Sequence, residues 1–127
     1  MAITTNTTFK NTILDGFDTA FNSGTLEIRT GSAPGAGNAA TGTVLATITL
    51  PADAFAAASG GTKAKNGTWN DTSADATGTA AHFRMVGGSN IVEGTVTATG
   101  GGGDMELDST SITSGQTVTI TAFSFSV

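Results

Sequence analysis

Cysteine is absent from this chain of 127 residues, which excludes disulfides, thiolate metal sites and cysteine nucleophiles. Tyrosine is absent too, and tryptophan occurs once, at Trp69. A groove that holds or cleaves sugars is usually lined with aromatics, so this composition argues against one. Trp69 is expected to be a packing anchor. Histidine also occurs once, at His82. The five basic residues (Lys10, Arg29, Lys63, Lys65 and Arg84) are scattered, against ten acidic ones, and the formal charge is −5. Nucleic-acid surfaces need clustered positive charge to displace counterions from phosphates, so no DNA or RNA partner is expected. No apolar run approaches the ~20 residues that span a bilayer, and no membrane partner is expected. The first ten residues, Met1 to Lys10, lack the basic start and apolar stretch of a signal peptide, which points to synthesis and assembly in the cytosol. Charged residues make up only 12 % of the chain, about half the usual share. So little charge is unusual for a free monomer and suggests that other subunits cover part of the surface.

What remains is threonine, glycine, alanine and well-spaced apolar residues. The length predicts one domain, with an N-terminal arm over 1–7, a helix over about 8–22 and a β domain over about 25–127. Folding such a chain buries roughly two-thirds of its unfolded surface. Phe9, Ile13, Leu14, Phe17, Ala20 and Phe21 recur at helical spacing and form one stripe. Thr7 or Thr8 is placed to cap that helix and Gly24 to end it. Gly16 weakens it by about 1 kcal/mol relative to alanine and suggests close approach to a sheet.

Alternation of period two then predicts strands over 25–30, 43–50, 79–86 and 91–98, with a short one over 104–108. Asn66-Gly67 signals a hairpin between 62–65 and 68–69. The glycine run 100–103 is read as a hairpin tip or hinge. The last strand, Gln116 to Val127, changes phase: Val118, Ile120 and Ala122 share one face, then Phe123, Phe125 and Val127 take the other. Such a flip requires a β-bulge near Ala122-Phe123 or a strand that changes sheet, and it puts the strand deep in the core. The fold class expected is mainly β: a small antiparallel β-sandwich or Greek-key barrel with one N-terminal α-helix.

No constellation of reactive residues stands out. His82 alternates with Phe83, so it is expected to face solvent or a subunit contact, together with Arg84. No nucleophile elbow accompanies it, so no catalytic residue is assigned. Asp104, Glu106 and Asp108 alternate along one strand and share a face. A calcium site needs about six to eight oxygens, and a flat row wraps a cation poorly. Asp71 and Asp75, in a polar loop, also miss the calcium-loop pattern. No metal and no cofactor are assigned. The glycine run lacks the lysine and helix start of a phosphate loop.

The order of short motifs carries a resemblance. Leu14-Asp15-Gly16-Phe17 leads into the stretch from Gly24 to Pro34, followed by Gly42 to Thr47 and Leu50-Pro51. Then come Asp71 to Gly78, Phe83-Arg84-Met85-Val86, Leu107-Asp108, Thr110 to Gly115 and Thr117 to Ile120. Over nearly its whole length the chain resembles small virion proteins of tailed bacteriophages, of the capsid decoration (cement) type. The resemblance implies a non-enzymatic protein made in the host bacterial cytoplasm and bound to the outside of the head. There it would brace the major capsid protein as a homo-oligomer, with a trimer the favoured count. A tail, neck or fibre-associated virion protein that binds a host surface is the alternative, and a secreted carbohydrate-active enzyme is a weaker one. Candidate subunit contacts are Ala2, Ile3, Thr4 and Thr5 on the arm, with Phe55, His82 and Arg84.

Overall fold

The computed structural model describes residues 3–127. The N-terminal helix forms, but in two pieces: α1 (Thr7–Leu14) and α2 (Gly16–Phe21). The cap is Asn6, one residue earlier than expected, whose side chain accepts a hydrogen bond from the Phe9 N–H at 2.9 Å. The break falls at Asp15, where the weak helix former Gly16 follows and the Asp15 carboxylate is drawn sideways. That carboxylate accepts from the Lys63 ammonium at 2.8 Å and from the Ala58 N–H at 3.0 Å. Gly16 itself approaches nothing, since a Cβ built there has no neighbour within 4 Å. Close approach occurs instead at Gly87, where a Cβ would lie 1.8 Å from the Ala20 carbonyl oxygen.

Ten strands follow: β1 (Thr25–Arg29), β2 (Val44–Thr49), β3 (Thr62–Ala64), β4 (Asn70–Asp71), β5 (Gly78–Thr79), β6 (His82–Gly87), β7 (Asn90–Ala98), β8 (Met105–Leu107), β9 (Ser111–Ile112) and β10 (Val118–Ser126). Eight of them make one curled sheet in the order β2-β1-β6-β7-β8-β10-β3, with β4 also on β10. The protein is thus mainly β, with a barrel-like sheet and a helical segment at its N-terminal side. The sheet is mixed, because β7 and β8 run parallel while its other pairs are antiparallel. Parallel neighbours usually need a crossover of a dozen or more residues. Here residues 99–104 suffice, because the glycine-rich loop folds on itself. Glu106 accepts from the Gly100 and Gly102 N–H groups, and Thr97 Oγ1 from that of Gly103. The run is therefore a tight return between parallel strands and not a hairpin tip.

The Asn66-Gly67 pair does not make a hairpin either. Both β3 and β4 lie on β10, pairing with residues 124–126 and 118–119. Residues 62–71 thus form one interrupted strand, with Gly67 at φ +71° in the break. The break sits beside the register shift between Ile120 and Ala122 on β10. This bulge is the phase flip expected from the sequence. Val118 and Ile120 are buried before it and Phe123 after it, while Ala122 is exposed. The burial then fades, and Phe125 is 38 % exposed and packs on Phe17 at 5.2 Å. Only the first two-thirds of the last strand reaches the core.

That core runs from Leu26, Ile28 and Ile48 through Phe83 and Met85 to Met105, Leu107, Val118 and Ile120. Trp69 is fully buried at one side of it, between Phe55 at 5.4 Å and Phe123 at 5.7 Å. The seam between β2 and β4 is closed by side chains. Asp71 accepts from the Thr47 N–H at 3.0 Å, Asp75 from the Thr47 hydroxyl at 2.7 Å, and the Asp75 N–H donates to the Leu45 carbonyl. β5 and β9 form a separate two-stranded ribbon that the sequence did not announce.

Candidate functional site

Three of the candidate contact residues lie inside the protein. Phe55, expected as a subunit contact, is a core residue with ring contacts to Phe17, Trp69 and Phe123. His82 and Arg84 do face away from Phe83, but that face is covered and not open to solvent or to a subunit. The segment 31–42 crosses it. His82 Nδ1 donates to the Gly31 carbonyl at 2.7 Å, and Nε2 is buried without a partner among the described residues. Arg84 pairs with Glu93 at 2.5 Å and donates to the Asn38 carbonyl at 3.0 Å. The Gly35 N–H donates to Glu93 in turn, and Arg29 donates to Glu27 and to the Thr41 carbonyl. The segment is therefore strapped to the sheet by charged side chains, and none of those chains is free for a partner.

The arm is different. Ile3, Thr4 and Thr5 are exposed, Ile3 at 95 %. Ala2 lies outside the described residues.

The acidic residues are likewise spent within the fold. Asp104 accepts from the N–H and hydroxyl of Thr95, and Asp108 from the N–H groups of Ser109 and Thr119. Glu106, Asp71 and Asp75 hold loops as described above. Among the described residues no group of three or more histidine, aspartate or glutamate side chains converges on a metal position.

Lys63 carries an unusual burden. It is fully buried beneath the helix break and bonds Asp15 at 2.8 Å and Asp18 at 3.1 Å, while both carboxylates stay partly exposed. Burial alone pulls the Lys63 ammonium down. The bonds to the two carboxylates outweigh it and hold the group above the ordinary lysine value. The same bond to Lys63, helped by the Ala58 N–H, holds Asp15 below the usual carboxylate range.

Buried polar atoms without a partner are few among the described residues (Asp18 Oδ1, Trp69 Nε1 and His82 Nε2), and the larger uncovered feature is apolar. Phe9 and Ile13 stand 54 % and 48 % exposed on one flank of the helical segment. That flank continues into a groove of about 270 Å³ between the helices and the start of β7. Its walls include Ile13, Gly16, Phe17, Ala20, Ile91 and Val92. Sequence reasoning assigned Phe9 and Ile13 to a single buried stripe. The signal that could have separated them is its width: six apolar residues spread around the helix further than the ~100° that a core-facing stripe requires. Leu14 and Phe21 take the buried side, and the surplus flank is exposed.

Among the described residues no helix is long and apolar enough to cross a membrane. Comparison with protein-family models, curated proteins and solved structures finds no match in any of the three.

Proposed function

We propose that this chain is a non-enzymatic virion structural protein of a tailed bacteriophage, a decoration protein that binds the outside of the head and braces neighbouring major capsid subunits. The observation that carries this reading is the contrast between its two kinds of surface. Most ionisable side chains are engaged within the fold, in ion pairs or in clasping its own loops, while Phe9, Ile13 and the adjoining groove stay uncovered. A protein built that way works by complementary shape. The order of motifs along the chain supports the same reading, and its acidity suits an outer face, away from packaged DNA.

The mechanism is mechanical. Each copy removes apolar surface from water against the shell, at roughly 25 cal/mol per Å². Losses of translational and side-chain freedom offset much of that gain. Repetition over many equivalent positions supplies the avidity that resists separation of capsomers.

The test is addition of the purified chain to expanded, undecorated heads, followed by electron microscopy of the particles. Saturable binding at a fixed number of copies per outer-surface position is expected. Density confined to the tail, neck or fibres, or lodged beneath the shell, overturns the reading.

A further inference from the structure

We propose that residues 3–5 of one copy add as a short strand to the open edge of β7 in a second copy, with Ile3 seated in the groove beside that edge. The inference goes beyond the decoration reading and does not depend on it.

The edge is defined by the register. β6 pairs with residues 90–95 of β7 on one side, but β8 takes the other side only from Val96 onward. Val96 donates its N–H to the Ala81 carbonyl, on the β6 side. Alternation along an antiparallel pair therefore turns the N–H and C=O of Ile91, Glu93 and Thr95 outward. Thr95 conforms: its N–H donates to Asp104 at 2.9 Å, away from β6. Among the described residues nothing outside the β6 ladder meets the N–H of Ile91 or of Glu93. Two donors and two acceptors thus point from an uncovered stretch of strand. Open edges of this kind are templates for an incoming extended segment, which supplies main-chain partners for the edge and side chains for the pocket beside it.

The groove next to this edge fixes the chemistry of the occupant. None of the groove's lining residues is ionisable and Asn90 is the one with a polar side chain, so the pocket suits an aliphatic group on an uncharged backbone. The arm has those properties. Ile3, Thr4 and Thr5 are β-branched, uncharged and exposed, and such residues favour extended backbone. Docking them removes no side-chain charge from water.

Geometry favours a second copy over the chain's own arm. The arm joins the fold at Asn6, the cap of α1, whereas the groove begins at Ile13. Those positions are about 10 Å apart along the helix, so the chain's own arm would need its full extended reach to touch only the near rim, and Ile3 instead stands clear of the body of the protein. An arm passed to the next copy makes a head-to-tail contact, which closes a ring if the rotation allows. One such contact is far smaller than the ~1,200 Å² of a stable pair. A ring in which every copy both gives and receives an arm makes the contact persist.

The test uses the full chain in solution without shells. Sedimentation equilibrium from about 1 μM to about 1 mM should show association, and exchange of the Ile91 and Glu93 amides should slow as concentration rises. Ile3→Asp should weaken association about tenfold or more, by putting a charge in an apolar pocket. Gly16→Leu should do the same by filling the groove from its helical wall, where a Cβ meets nothing within 4 Å. Gly16→Ala is the control and should leave association nearly unchanged.

A chain that stays monomeric throughout overturns the inference. So does association that neither variant alters, or amide protection that ignores concentration, which would mark an arm folded onto its own chain. A chain that associates in this way yet ignores shells removes the decoration reading and leaves this inference standing. A chain that decorates shells but never self-associates does the reverse.

Discussion

A buried imidazole with one partnered nitrogen costs more to remove than a surface one. His82→Ala leaves the Gly31 carbonyl without its donor and opens space under the strap, so it should destabilise the fold by about 1–3 kcal/mol in urea denaturation. A ring facing solvent or a subunit, as the alternation with Phe83 led one to expect, would lose far less. The difference lies in segment 31–42, whose glycine, alanine and proline residues give no apolar signal that they will roof a strand face. The two phenylalanines of the last strand separate for a similar reason. Phe123→Ala should cost about 3–5 kcal/mol, because its ring is enclosed by Phe55, Trp69 and Phe83. Phe125→Ala should cost under about 2 kcal/mol, since a large part of its ring already faces water. Equal losses in the same denaturation series would show that the strand continues inward past the bulge.

At the scale of elements, the join between α1 and α2 depends on a buried cation held by two carboxylates. Replacing both carboxylates, Asp15→Asn with Asp18→Asn, strands the buried ammonium and should destabilise more than Lys63→Met, which removes the charge and keeps the packing. The pH dependence has two limbs. Asp15 is held below its unfolded value, so its contribution is complete above the unfolded pKa of 3.8 and fades as pH falls through the folded one. Lys63 is held above its unfolded value, so its contribution is complete below 10.5 and fades as pH rises through the folded one. Between those limits the pair contributes fully. Stability curves of Lys63→Met should lose the alkaline limb and keep only a reduced acid limb, since the Ala58 N–H still holds Asp15 down, and unchanged curves would show that the pair contributes nothing.

A neighbouring glycine contrast tests the packing. Gly87→Ala should lose about 1–3 kcal/mol by forcing α2 away from β6. Gly16→Ala, with open space around it, should gain up to about 1 kcal/mol.

Elements of this kind were legible wherever the signal is local. The alternation in 25–30, 43–50 and 91–98 marks strands that exist, and the phase change marks a real bulge, displaced by about one residue. Pairing was not legible. Asn66-Gly67 has the local chemistry of a hairpin, yet both flanking segments find β10, more than forty residues away, because that strand offers a longer apolar face. The parallel partnership of β7 and β8 is hidden likewise, since it depends on glycine amides finding Glu106 and Thr97. The candidate site divides along the same line. An exposed arm is readable from a stretch with no core residues, whereas the fate of His82 and Arg84 depends on a covering segment that no local pattern announces.

At the scale of the whole molecule, the apolar flank should be separable from the fold. Phe9→Asp changes an exposed side chain that does not line the groove, so it should leave thermal unfolding nearly unchanged. It should also lower occupancy on undecorated heads about tenfold or more in a sedimentation assay, through lost apolar area and a charge set against the shell. Full occupancy by this variant would exclude the flank from the contact.

The place of β10 sets the timing of folding. Residues 118–126 lie in the interior of the sheet and join β8 to the β3–β4 edge, so the two halves stay apart until this segment has been made. A ribosome-tethered nascent chain, with this segment still in the exit tunnel, presents unpaired strands on both sides of a missing seat. A chain cut before Val118 should therefore lack a cooperative unfolding transition and be cleared by proteases, as limited proteolysis would show.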